Sequence, residues 1–159
     1  IFSSCSDEPI ELPPKYITID GEKYEMSVAL LDDWGTDSDI TYRKYWIRFR
    51  NSQVDPSTYL NFVIYSNSTT RIQEGVYDYS YSIRKGVISF VEIGKDIVYD
   101  DQGYAVGGEV TKESNSTFEG SITIDMNNED YDFTFDITAY KGSNTYIIGG
   151  QYNAPLTLN

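Results

Sequence analysis

The chain has 159 residues, with 12 Lys and Arg against 25 Asp and Glu for a net charge of −13, one cysteine and no histidine. This is one domain's worth of chain, and at 40% hydrophobic and 15% aromatic it is too apolar for a disordered acidic tail. Without histidine there is no Ser-His-Asp or Cys-His nucleophile system and no His-ligated metal; one cysteine allows no internal disulfide; and the negative charge argues against nucleic acid as a partner.

The N-terminal stretch Ile1-Phe2-Ser3-Ser4-Cys5 resembles the end of a bacterial lipoprotein signal peptide, in which small residues before the cysteine admit the peptidase. Phe2 departs from the leucine commonest at its position. The resemblance implies cleavage before Cys5, which makes residues 1–4 a signal-peptide remnant and Cys5 the site of lipid attachment. Several acyl chains anchor stably, since each buried CH₂ contributes about 0.8 kcal/mol. Ser6, Asp7 and Glu8 resemble the acidic export signal of Bacteroidetes surface lipoproteins, which implies an outer-membrane address facing the cell exterior. Residues 5–14 then read as a tether: Pro9, Pro13 and Pro14 favour extended chain, for a stand-off of ~30 Å. No later run approaches the ~20 apolar residues of a spanning helix, so the membrane is met through lipid alone.

From Lys15 to Asn159 the dominant period is two, the signature of half-buried strands in a single domain. Ten strands are predicted, near 16–19, 22–30, 42–50, 59–65, 75–82, 87–93, 104–111, 117–126, 131–140 and 145–152. Tyr45, Ile47 and Phe49 alternate with Trp46, Arg48 and Arg50. Leu60, Phe62 and Ile64 mark a buried face, with Val63 and Tyr65 making the opposite face partly apolar. Tyr131, Phe133, Phe135 and Ile137 alternate with Asp132, Thr134 and Asp136, so only one face of that strand is to be buried. Only Met26 to Trp34 reads as a possible short helical turn. Asp20-Gly21, Lys85-Gly86, Asp101-Gln102-Gly103 and Lys141-Gly142-Ser143-Asn144 supply turn residues.

These features predict an all-β fold. Short links after residue 75 favour a sequential antiparallel meander, which removes its exposed edge by closing as a calycin-like barrel. A two-sheet β-sandwich is the alternative, because the connections near 32–41 and 51–58 are long enough to cross between sheets. Gly107-Gly108, Gly120 and Gly149-Gly150 suit bulges or sharp bends.

Four segments carry a family resemblance: Gln73-Glu74-Gly75-Val76-Tyr77, Gly108-Glu109-Val110-Thr111, Tyr131 to Asp136, and Ile148 to Leu156. Together, over residues 73–156, they are similar to small surface lipoproteins of gut Bacteroidetes. Those end in a G-x-Y-x-G-x-L strand, in which this chain has Ala154 followed by Pro155 in place of the second glycine. The resemblance implies a fold and an address, and brings no reaction with it.

Candidate binding residues are aromatic. Tyr77, Tyr79 and Tyr81 alternate on one strand and form either a platform for sugar rings or part of the core. Trp34, in an acidic polar stretch, is the better exposed aromatic, and Trp46, between Lys44 and Arg48, is the second. Arg43, Lys44, Arg48 and Arg50 place four of the 12 cations within eight positions. Such a ridge either captures carboxylated or sulfated glycans or pairs with outward aspartates of neighbouring strands.

Two oxygen-rich loops, one with Asp32, Asp33, Asp37 and Asp39, the other with Asp125, Asn127, Asn128, Glu129 and Asp130, lack EF-hand spacing and read as solvated, so no metal and no cofactor is expected. Nor is any carboxylate pair singled out for glycosidase-type chemistry, and no catalytic residue is assigned.

The function expected is therefore ligand binding without catalysis, with an extracellular glycan as ligand. The alternatives are a barrel enclosing a hydrophobic small molecule, and a structural or adhesive subunit of the cell envelope. Oligomeric state is not legible.

Overall fold

The alternation of apolar and polar side chains builds strand after strand. The computed structural model describes residue 9 and residues 11–38, 41–127 and 130–159. Cys5, Ser6, Asp7 and Glu8 lie outside the described residues, as do Asp39, Asn128 and Glu129. The strands are β1 (Lys15–Ile19), β2 (Glu22–Glu25), β3 (Val28–Thr36), β4 (Arg43–Arg50), β5 (Tyr59–Ser66), β6 (Gly75–Tyr79), β7 (Val87–Tyr99), β8 (Ala105–Lys112), β9 (Thr117–Asn127), β10 (Asp130–Lys141), β11 (Asn144–Ala154) and β12 (Thr157–Leu158). No helix forms among the described residues, and the chain is all-β.

All twelve strands belong to one sheet, in the order β12-β3-β4-β5-β7-β6-β9-β10-β11-β1-β2, with β8 paired to β7 as a side branch. The sequential antiparallel meander holds between β7 and β8 and from β9 to β11, and fails at β6 and between β8 and β9. β7 runs for 13 residues, longer than its partners, so β6 and β8 take successive stretches of the edge opposite β5. β6 is parallel to β7 and antiparallel to β9, and β8 and β9 are not neighbours.

The closed barrel is also corrected: the sheet is a curled, open half-barrel. Its flanks meet at one crossing of the chain. Met26 N donates to Lys15 O (2.7 Å), and the next residue, Ser27, donates from its N to Arg50 O (3.0 Å). Between two residues the chain leaves β1 and joins β4, so no continuous ladder spans the seam. Opposite the branch, side chains bridge what backbone does not. The Tyr146 hydroxyl donates to Glu109, Lys141 Nζ to Val110 O (2.9 Å) and Lys95 Nζ to Glu22 (3.3 Å).

The predicted helical turn at 26–34 is instead this crossing followed by β3. Ala29 and Leu31 face the core while Leu30 faces outward opposite Arg48, a period of two that extended backbone satisfies and a helix does not. β12 went unseen because two residues carry no period; it runs parallel to β3, with Thr157 opposite Leu30.

The curl turns one face inward along its whole length. Phe49 on β4 meets Phe133 and Phe135 on β10 (centroids 5.2 and 5.3 Å) and Tyr152 on β11 (4.7 Å), although four strands separate β4 from β10 in the sheet. Phe133, Phe135 and Ile137 are buried as the alternation predicts, and Thr134 and Asp136 face solvent. Gly120 and Gly150, at φ of 107° and 113°, permit the bend, and a Cβ at Gly150 would meet Tyr16 O at 2.5 Å. The interior is thereby filled with aromatic rings.

Candidate functional site

The alternation that sends Phe49, Leu60 and Phe62 inward sends their neighbours to the outer face of β3, β4, β5 and β7. Register arranges these in rows. Asp32, Trp46, Val63 and Phe90 lie abreast; Leu30, Arg48, Asn61 and Glu92 form the next row; Arg50, Tyr59 and Gly94 form the third. Val63, Tyr65 and Val87, with Tyr42, Trp46 and Phe90 packed against them, make a second apolar cluster on this side, separate from the core. The partly apolar outer face of β5, seen in the sequence as Val63 and Tyr65, is its base.

Trp34 and Trp46 sit together on this face, ring centroids 5.6 Å apart and tilted at 49°. Trp34 is half-exposed and stands on β3 rather than in a loop. Lys44 Nζ lies 4.4 Å from the Trp34 ring centroid, and the Arg48 guanidinium 4.5 Å from that of Trp46. Such stacking holds both indoles in place without removing their accessible faces.

Two open clefts flank Trp46. One, of about 230 Å³, is lined by Trp34, Lys44, Trp46, Val63, Ser89 and Phe90. The other, of about 380 Å³, is lined by Trp46, Arg50, Tyr59, Asn61, Glu92 and Tyr99, together with Pro56. A larger groove of about 790 Å³ lies along residues 11–16, but its walls are mainly the chain's own proline segment and charged side chains. It offers one aromatic, Tyr16, against the three of the second cleft.

The cations divide. Arg43 donates to both oxygens of Asp33, through Nε at 2.8 and 3.0 Å and through Nη2 at 2.7 Å, and these bonds hold the Asp33 carboxyl below the usual carboxylate range. Arg48 donates to Asp32 at 2.5 Å, and Asn159 Nδ2 donates to the other Asp32 oxygen at 2.9 Å. Asp37 accepts from the backbone N and hydroxyl of Thr41. Asp32, Asp33 and Asp37 thus spend their carboxylates within the protein, and among the described residues no cluster of three or more metal-binding side chains forms. Arg50 differs from Arg43 and Arg48: it makes no ion pair among the described residues, and burial lowers its pKa.

Three buried polar atoms on this face have no hydrogen-bond partner among the described residues: Trp46 Nε1, Arg48 Nε and Asn61 Oδ1. Buried polar atoms are ordinarily satisfied, and the cost of leaving one bare is about 1–3 kcal/mol. All three belong to the outer-face residues Trp46, Arg48 and Asn61, of which Arg48 and Asn61 are register partners.

The tyrosine stripe does not form a platform. Tyr77 is buried and donates to Gln73 O (2.6 Å), Tyr79 donates to Glu113 (2.8 Å), and exposed Tyr81 meets Tyr79 edge-on at 87°. β6 ends at Tyr79, so the alternation that would align Tyr81 stops two residues short. Trp34, Trp46, Arg48 and Arg50 are brought together; Tyr77 and Tyr79, on the neighbouring strand β6, pack with the core instead, and Tyr81 lies beyond that strand's end. Tyr59, Asn61, Glu92 and Tyr99 join the site only through register, which no local pattern announces.

No known family model matches this chain, and no curated protein or solved structure is significantly similar to it.

Proposed function

We propose that this chain is a lipid-anchored surface protein whose body captures an extracellular glycan without transforming it. The observation that carries this reading is the pairing of Trp34 and Trp46 on the outer face, 5.6 Å apart and flanked by two open clefts. Sugar rings present apolar C–H faces that stack on indoles, while their hydroxyls seek polar atoms of the kind left bare at Trp46, Arg48 and Asn61. The filled interior argues against a carrier that encloses a hydrophobic molecule: Phe49, Phe62, Phe133, Phe135 and Tyr152 occupy the space such a ligand needs.

The surface address rests on Cys5 and the Ser6-Asp7-Glu8 segment that follows it. Lipid on Cys5, a short proline-bearing tether and an outward aromatic face together suit retention of soluble saccharide at the outer membrane.

The test is binding of the purified chain to a glycan array. Signal that disappears in both Trp34→Ala and Trp46→Ala, with unfolding midpoints preserved, supports the reading, and absence of any glycan signal refutes it. Mass spectrometry of membrane-extracted protein tests the address: acylated Cys5 at the mature N-terminus supports it, and an unmodified Cys5 thiol overturns it.

A further inference from the structure

Resting on the glycan-binding reading, we infer that the cleft between Trp46 and Tyr99 is a subsite for a carboxylate-bearing sugar, with Arg50 taking the carboxylate and Asn61 a neighbouring hydroxyl.

Among the cations of β4, the ion pairs fall on Arg43 and Arg48 and leave Arg50, the half-buried one that lines the cleft, without one among the described residues. In a chain with 25 acidic residues and a net charge of −13, carboxylates are available to every cation. Arg43 and Arg48 take Asp33 and Asp32, and Lys44 covers Trp34. Arg50, half-buried at the end of the same strand, is left without an acidic partner among the described residues. A half-buried guanidinium is favourable only when an anion offsets what it loses in hydration. Its planar donor fork matches a planar carboxylate through two parallel N–H···O bonds.

Asn61 supplies the second, independent observation. It is 7% exposed, lines the cleft, and its Oδ1 accepts nothing from the described residues. A bare acceptor needs a donor, and a carboxylate has none to give. A ligand that offers both an anionic group to Arg50 and a hydroxyl to Asn61 matches the two, and that is the chemistry of a uronic acid. Glu92 is the acid in the cleft; burial first, and then that neighbouring carboxylate, push the Tyr59 hydroxyl well above its ordinary range, and Glu92 makes no ion pair with Arg50 among the described residues. The cleft, at about 380 Å³, lies toward the small end of ligand sites, which run from roughly 300 to 1,000 Å³. Trp46 lines both clefts, so a chain of sugars lying across its ring reaches from the Arg50 subsite to Trp34.

The experiment is calorimetric titration of the purified chain with short oligogalacturonides and oligoglucuronides, their methyl esters, sulfated galactan fragments and neutral galactan fragments. The acid forms are expected to bind about tenfold more tightly than their esters, the order of one charge-assisted contact. Arg50→Gln should abolish that preference, so that acid and ester bind alike whatever the change in overall affinity. Arg50→Lys, which keeps the charge without the fork, should restore part of it, and both variants should retain the parent unfolding midpoint. Equal affinity for acid and ester, preference for sulfated over carboxylated sugars, or an acid preference that survives Arg50→Gln overturns the subsite. In each of those cases loss of neutral binding in Trp46→Ala leaves the glycan-binding reading standing. Binding to none of the saccharides overturns both.

Discussion

The ring of Tyr59 occupies the space that a side chain at Gly94 would take. The two are register partners across β5 and β7, and a Cβ at Gly94 would meet Tyr59 Cζ at 2.5 Å. Glycine thus lets the tyrosine lie over its neighbouring strand and form one wall of the larger cleft. Gly94→Ala should displace the ring and destabilise the fold by about 1–3 kcal/mol, the range for overpacking a tight site. In a Tyr59→Ala background most of that cost should vanish. A double-mutant cycle by urea unfolding measures the coupling, and simple additivity would show that the two residues do not share the space.

Phe49 is the point where the curl is secured. It is fully buried and touches Phe62, Phe133, Phe135 and Tyr152, which come from strands far apart in the sheet. Phe49→Ala should cost about 3–5 kcal/mol, and Phe49→Leu clearly less. Equilibrium denaturation gives both values. A cost for alanine no greater than at a surface position would mean that the two flanks do not lean on one another.

How far the sequence discloses this arrangement follows from what each feature depends on. Strand positions depend on local alternation, so β4, β5 and β10 fall where Tyr45-Ile47-Phe49, Leu60-Phe62-Ile64 and Tyr131 to Ile137 place them. Partners depend on which edges are left free. The length of β7 and the two-residue crossing at Met26 and Ser27 decide that, and neither has a periodic signature. The site divides along the same line. Trp46, Arg48 and Arg50 are legible as outward residues of one strand and Trp34 as an exposed aromatic, though not as part of a strand, whereas Asn61, Glu92 and Tyr59 become their neighbours only through register. Tyr77 misled because an alternating stripe reads alike from either face of a sheet.

The Asp33 carboxyl gives the acid side of the stability profile a definite sign. Arg43's hydrogen bonds lower its pKa in the folded protein, opposed by partial burial and assisted by the Gly35 amide. The unfolded chain therefore takes up this proton first as pH falls. The stabilisation is fully present above the unfolded value of about 3.9 and is lost as pH drops through the folded value. Asp33→Asn should lower stability at neutral pH and flatten its decline on acidification. Thermal melts from pH 6 down to about pH 2 test this, and parallel curves for parent and variant would contradict it.

At alkaline pH the sign reverses through tyrosine. Burial pushes the Tyr45 hydroxyl up to about 12, and burial also raises Tyr152 and Tyr131. The folded state holds these protons where the unfolded chain, ionising near 10, has released them, so stability declines from about pH 10 upward. Absorbance of tyrosinate should show Tyr45, Tyr131 and Tyr152 ionising late, together with unfolding. A single titration step near pH 10, with the fold intact by circular dichroism, would rule out this account.

The crossing at Met26 and Ser27 connects the seam to the proposed subsite. Ser27 donates its backbone N–H to Arg50 O at 3.0 Å and its hydroxyl to Asn51 O at 2.9 Å, so it grips the backbone of the arginine whose side chain lines the cleft. Ser27→Ala removes only the hydroxyl bond and should cost about 0.5–1.5 kcal/mol. Ser27→Pro removes the N–H as well, leaves the Arg50 carbonyl bare and fixes the backbone in the link between β2 and β3, for a loss of about 1–3 kcal/mol more. With the backbone link at this crossing lost, hydrogen exchange in Ser27→Pro should quicken in β2, β3 and the end of β4 while the β9–β10 ladder stays protected. Uniform acceleration throughout the sheet would instead show that the seam is held elsewhere. Because the grip falls on Arg50, the same variant should weaken discrimination between acidic sugars and their esters before it weakens binding of neutral ones.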